Sequence, residues 1–209
     1  MKIRFSQTIA AAAFLMATAA STGAFAATGC DLNYPDSDVP RLFPESTGYK
    51  ARYISLDEHE LRNVVARLGA DYRPLYDPLN VPYTLYDVYK GKQKAGYVHG
   101  VNQKGQYGGI QVFVSLDLNG VIKAFYIQKM TGRWAGKFRD AAFGRQFIGI
   151  SIRDFDTFDP VSGKGTGKIA KIRNPAPGAE TDFYSLLRAL KKNLVLMDEF
   201  VYLTRRKNQ

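Results

Sequence analysis

The sequence predicts an α+β domain: a twisted antiparallel sheet, wound as a meander, with helices packed on one side. Three observations predict it. Between residues 83 and 130 apolar residues recur with a period of two, in four runs separated by turn residues. On either side, at 55–69 and 182–196, the period changes to that of an amphipathic helix. The chain has 209 residues, 45% of them hydrophobic, which suffices for one domain of ordinary size with a real core.

The N-terminus is a targeting segment. Lys2 and Arg4 precede a small, apolar run from Ile9 to Ala27, and no acid occurs before Asp31. This is the pattern of a secretory signal peptide over residues 1–26, with Ala24-Phe25-Ala26 as the cleavage site. Thr, Ser and Gly dilute the run below the roughly 20 strongly apolar residues that a permanent span needs. The expected location is therefore the periplasm. Cys30 is the only cysteine, so no intrachain disulfide can form. Ala27-Thr28-Gly29 before it resembles a degenerate lipobox. A lipoprotein anchored through Cys30, with Asp31 resembling an inner-membrane retention signal, is the alternative. Ala27 stands where lipoboxes prefer Leu, which favours the soluble product.

Residues 27–50 are rich in Pro, Ser, Asp and Gly without periodicity and read as an extended linker. A single domain spans 51–204, and 205–209 is a basic tail. In "SLDEHELRNVVARLG" (55–69), Ser55 is the expected N-cap, with Glu58 completing a capping box and Gly69 stopping the helix. Leu61, Val64, Val65 and Leu68 form its apolar stripe, and His59 falls on the exposed face. "YTLYDVYKG" and "KAGYVHGV" read as strands joined at Lys90-Gly91-Lys92. "GGIQVFVSLDLNGVIKAFYIQKM" holds two more, with Asn119-Gly120 as a hairpin signal. Residues 135–149 read as a short helix or helical turns, and 159–173 as a Gly/Lys loop followed by a short strand. Residues 182–196 form the closing helix, with "DEFVYL" as an extension or edge strand.

The formal charge is +10; removing Lys2 and Arg4 with the signal leaves +8. A basic chain suits nucleic acid, anionic lipid heads or acidic partners. Export argues against nucleic acid and leaves contact with a membrane surface through basic residues open. Both histidines are isolated, so no metal cluster is expected. No serine has a nucleophile-elbow context. "SGKGTGK" lacks the spacing of a phosphate-binding loop and reads as a flexible basic loop. "TGRWAGKFR" sets Trp134 between Arg133 and Lys137 among glycines. An aromatic face beside cations suits a planar anionic ligand. A half-buried loop tryptophan is the plainer alternative.

The order "YDVYKGKQKAGYVHGV", "GQYGGIQVFVSLDLNGVIKAFYIQ", a Gly/aromatic loop, "FGRQFIG" and "PGAETDFYSLLRALKKNL" resembles the FMN-binding domain family over residues 82–200. That family includes the C subunit of the sodium-pumping NADH:quinone reductase and the G subunit of the Rnf complex. The resemblance implies FMN as cofactor, electron transfer rather than stand-alone enzymatic catalysis, and a redox partner or membrane redox complex. In the family a Ser-Gly-Ala-Thr-type turn carries FMN as a phosphoester on its final threonine. Here Gly178 and Ala179 match, Pro177 replaces the first hydroxyl residue, Glu180 stands at the acceptor position and Thr181 comes one place late. The flavin-facing loop of the family is matched only loosely, by Thr131 to Gly136.

The expected cofactor-binding residues are accordingly Trp134, Arg133, Lys137, Tyr107, Gly178, Ala179 and Thr181, with no catalytic residue and no metal. A carboxylate at Glu180 would repel a phosphate there. Arg133, Lys137, Arg139 and Lys164 are the cations available to offset it. Three readings stand: non-covalent FMN, covalent FMN on the displaced Thr181, and a flavin-free accessory or binding module.

Overall fold

The computed structural model describes residues 30–69 and 79–203. The signal segment, its cleavage site and the basic tail Arg205-Arg206-Lys207 lie outside the described residues.

Five strands form one antiparallel sheet in chain order: β1 (Gly48–Ile54), β2 (Tyr83–Lys90), β3 (Gln93–Gly105), β4 (Gly108–Asp117) and β5 (Ile122–Lys129). The meander expected over 83–130 is β2 to β5. Its turns use the residues that the sequence offered. Gly91 takes φ 59° between β2 and β3, and Gly120 takes φ 79° between β4 and β5. The Asp117 carboxylate accepts from the Asn119 and Val121 N–H groups at 2.8 and 2.9 Å, which closes the second turn.

β1 and α1 (Pro35–Leu42) correct the extended-linker reading of residues 27–50. β1 gave no period-two signal because neither of its faces is buried; Tyr53 is 74% exposed. It is held to β2 by main-chain pairing and by Arg52, whose guanidinium meets the buried Asp87 carboxylate at 2.7 Å. Helix α1 starts on Pro35, which suits a first helical turn, and buries Val39 and Leu42. With Cys30, Leu32 and Phe43 it covers the sheet face carrying Tyr86, Val88, Val98 and Phe113.

The main helical layer lies on the other face, as expected. α2 (Glu58–Leu68) is capped two residues later than the sequence suggested. Asp57 is the N-cap, its carboxylate accepts from the Glu60 N–H at 2.8 Å, and Glu60 reaches back to the Asp57 N–H. Ser55 and Glu58 play no part in the cap. Two short helices, α3 (Ala135–Arg139) and α4 (Ala141–Arg145), occupy the expected helical stretch, and Asp140 caps the second. Residues 169–171 form a 3₁₀ turn rather than a strand.

The closing helix α5 (Glu180–Met197) runs on as a π-helical turn over 198–203, so "DEFVYL" is neither a strand nor a loose extension. α5 is buried almost all round, because it lies between the sheet and an outer layer. Asn193 donates to the His99 carbonyl of β3 at 3.0 Å, and Lys192 donates to the Asn102 carbonyl at 2.9 Å. On its outer side Lys191 donates to the Phe158 carbonyl at 2.8 Å and Arg188 to the Pro160 carbonyl at 2.7 Å. The outer layer is rich in buried rings: Phe138, Phe143, Phe147, Phe155 and Phe158.

Candidate functional site

Three segments meet at the N-terminal end of α5. The first is the turn into the helix. Gly178 adopts φ 92°, a conformation only glycine takes cheaply, and Ala179 is buried behind it. The second is the β3–β4 turn. Asp182, in the first turn of α5 and 3% exposed, accepts from the Gln106 N–H at 2.8 Å. The third is the loop after β5. Thr131 donates its hydroxyl to the Tyr107 carbonyl at 2.8 Å. The Tyr107 ring covers Gly132, where an added Cβ would come within 2.7 Å of it. Asp182 therefore ties the helix start to the β3–β4 turn, and Thr131 and Gly132 tie that turn to the loop that carries Trp134.

The sequence-derived residues fall on or beside these segments. Tyr107 is 57% exposed on the turn. Arg133 lies over the Trp134 ring, 4.6 Å from its centre. Trp134 is half-buried and packs its body against the main core. Lys137 is exposed on α3, and Thr181 is exposed on α5. Gly178, Ala179 and Thr181 share the helix start but make no recorded contact with Trp134. Of the linking residues, Gln106 escaped the sequence reading, Thr131 entered it only as the start of the loosely matched loop, and Asp182 read only as a helix cap. An aspartate in a helix first turn ordinarily reads as a cap, so its burial and long-range partner leave no local signal.

The electrostatics of the helix start decide what it can hold. Glu180 folds back so that its carboxylate accepts from the Gly178 N–H at 2.9 Å, which lowers its pKa. A helix N-terminus attracts anions through such free N–H groups. Here the chain's own Glu180 carboxylate stands at the helix entrance, held by the N–H of Gly178 just before the N-cap Ala179, and the Asp182 carboxylate stands in the first turn. Of the cations expected to offset this charge, Arg139 is engaged elsewhere, donating to the Ile127 and Met130 carbonyls at 3.3 and 3.0 Å. The Gly/Lys loop is closed in the same way. The Asp159 carboxylate accepts from the Val161 and Ser162 N–H groups and from the Ser162 hydroxyl, which holds its pKa down. The residues therefore do not fit a phosphate at the helix start. Tyr107 presents an exposed ring on the β3–β4 turn, and the Trp134 ring carries the Arg133 guanidinium over it.

Metal chemistry has no candidate: among the described residues no group of three or more His, Cys, Asp or Glu side chains is placed to hold an ion. His99 is wholly buried. Burial pushes its pKa down from 6.5 to about 4, against the opposing effect of its hydrogen bond with Asn193. It is a neutral core residue remote from these contacts.

No protein-family model matches the chain, and no curated protein matches it in sequence. Among solved structures it is similar to NqrC from Shewanella oneidensis, at 15% identity and a TM-score of 0.53. The likeness covers 81% of this chain and 88% of that one. At this identity it establishes the fold: an open antiparallel sheet carrying its helices in the NqrC arrangement.

Proposed function

We propose that the protein is an exported FMN-binding-domain protein that passes electrons through a non-covalently held flavin to a partner in a membrane redox complex. One observation carries the reading. On a fold shared with NqrC, the helix start that follows the Gly178-Ala179 turn is tied by Asp182 to the turn carrying Tyr107, and that turn is tied to the loop carrying Arg133-Trp134, the segments that the sequence resemblance marks for FMN. A bound flavin supplies the redox chemistry, while the protein supplies position and electrostatics. Tyr107 and Trp134 would flank the ring system, and Arg133 and Lys137 would meet its anionic groups. The Glu180 carboxylate on the Gly178 N–H argues against the phosphoester mode.

The periplasmic location is part of the proposal. Its support is the signal pattern and the burial of Cys30, which is 2% exposed beneath α1 with its thiol pushed up to about 12. A lipid on Sγ would require that side chain to leave its cluster. No helix among the described residues is long and apolar enough to cross a membrane. Mass spectrometry of the exported protein checks this: a mature chain starting at Ala27 is expected, and a diacylglyceryl-modified Cys30 would overturn it.

A second reading, a flavin-free accessory module, is favoured by two self-made contacts: Glu180 on Gly178 N–H, and Arg133 over the Trp134 face. The visible spectrum of protein purified from the periplasm separates the two. Flavin absorbance released into the supernatant on acid precipitation is the expected result. Absorbance that stays with the pellet means covalent FMN, and its absence from both fractions selects the accessory module.

A further inference from the structure

A cleft of about 370 Å³ lies between β5 and the short helices α3 and α4. Phe138 and Ile127, both buried, and the half-buried Phe125 line it. The Phe125 ring is held by its neighbours: its centre lies 4.6 Å from that of Phe147 and 5.9 Å from that of Phe143, the latter edge-on. Ile148, 53% exposed, also lines the cleft.

Gly144 of α4 keeps this cleft open. A Cβ built on it would stand 3.6 Å from Cδ1 of Phe125, which is ordinary contact, and its φ is not positive. Neither space nor backbone geometry therefore calls for glycine, and within a helix glycine is the costlier choice. Its evident effect is that no longer side chain lies on the Phe125 ring.

The cleft is also cationic. The Arg145 guanidinium takes part in no hydrogen bond or ion pair among the described residues. Arg139 is fixed by the Ile127 and Met130 carbonyls, which hold its guanidinium without neutralising it. The one carboxylate in the lining, Asp140, caps α4 by accepting from the Ala142 N–H at 2.7 Å. A guanidinium left unpaired beside apolar walls suits a carboxylate on an apolar body. The volume lies at the small end of ligand sites, with room for one or two rings rather than a nucleotide.

We propose that this cleft binds a flat aromatic carboxylate of one or two rings, its ring on Phe125 where Gly144 leaves room and its carboxylate at Arg145, with Arg139 adding to the attraction. Offset or edge-on ring contact with Phe125 selects an aromatic body over an aliphatic chain. None of Tyr107, Arg133, Trp134 or Gly178 to Thr181 lines the cleft, so the site is separate from the segments assigned to flavin and does not rest on that reading.

The test uses the exported chain and three probes, benzoate, 2-naphthoate and biphenyl-4-carboxylate, followed by the methyl shifts of Ile148. At least one should bind saturably below about 1 mM. Its neutral amide should bind about tenfold more weakly, and so should the acid to the surface variant Arg145→Gln. Gly144→Leu should abolish binding by covering Phe125, with circular dichroism matching the parent. Failure of all three probes at about 1 mM overturns the proposal. So does binding that Arg145→Gln and the amide leave unchanged, or binding that survives in a folded Gly144→Leu. Octanoate binding more tightly than every ring probe would assign the cleft to a lipid chain and overturn it too. Displacement of the probe by FMN would make the cleft part of the flavin site and overturn it as a separate one. Absence of flavin from the purified protein would sink the flavin reading and leave each of these expectations in place.

Discussion

Asp182→Ala tests whether the helix start and the β3–β4 turn are one unit. Asp182 is 3% exposed and its Oδ1 accepts from the Gln106 N–H at 2.8 Å. A hydrogen bond to a charged, buried acceptor contributes about 1.5–3 kcal/mol. Removing the carboxylate also removes an acid from the first turn of α5, worth about 0.3–1 kcal/mol. The expected loss is therefore about 2–4 kcal/mol, read as a lower urea midpoint with unchanged slope. Asp182→Asn keeps an acceptor and loses the charge, so it should cost less than half as much. The local readout is amide exchange at Gln106, which should quicken about 10- to 100-fold in the Ala variant, in step with the hydrogen bond's share of that free energy. Because Tyr107 follows in the same turn and covers Gly132, the Trp134 emission should shift too. An Ala variant within about 0.5 kcal/mol of wild type, with Gln106 exchange unchanged, would refute the reasoning. It would mean that the Gly105–Gly108 pairing holds the turn unaided.

Three further predictions concern the core and the helix start. Native His99 is held neutral down to about pH 4, chiefly by burial, against 6.5 in the unfolded chain, so the unfolded state binds the extra proton and stability falls as pH drops from 6.5 towards 4. The loss is at most about 3 kcal/mol; urea unfolding at several pH values should show it, His99→Gln should flatten it, and a flat wild-type profile would contradict it. Gly100 pairs with Phe113 across β3–β4, and an added Cβ would stand 2.3 Å from that buried ring. Gly100→Ala should therefore cost about 1–3 kcal/mol in thermal or urea unfolding, and a neutral result would show that the ring has room to move. Glu180→Thr releases the Gly178 N–H and restores a hydroxyl at the acceptor position. Co-expressed with a flavin transferase in an exporting host, it should gain in-gel flavin fluorescence while wild type stays dark. A fluorescent wild type silenced by Thr181→Ala would make the displaced threonine the acceptor.

The legible parts of the fold were those with a local cause. β2 to β5 were legible because alternate residues, such as Ile110, Val112, Val114 and Leu116, enter the main core on one face, and Gly91 and Gly120 sit where the turns need positive φ. β1 and α1 were illegible for opposite reasons. β1 buries neither face and so carries no pattern. α1 is two turns long and interrupted by Pro40, with too few apolar residues to display a period. The capping box of α2 was legible as a motif but not in its frame, because Ser55 and Asp57 both suit the N-cap and both have a glutamate three residues on; the chain's route out of β1 selects Asp57.

At the candidate site the division is sharper. The sequence by itself determined the substitution of Glu for a hydroxyl residue at 180, the glycine turn before it, and the single tryptophan between two basic residues, since these are identities and spacings. Only the tertiary structure decided what the identities do: that Glu180 turns back onto Gly178, that Arg133 covers Trp134, that Arg139 is consumed by carbonyls, and that Asp182 ties the helix to a turn 76 residues away. A side chain's charge is written in the chain, but the partner that satisfies it depends on which backbone groups the fold leaves unpaired beside it. That is fixed by long-range packing, which no window of sequence contains.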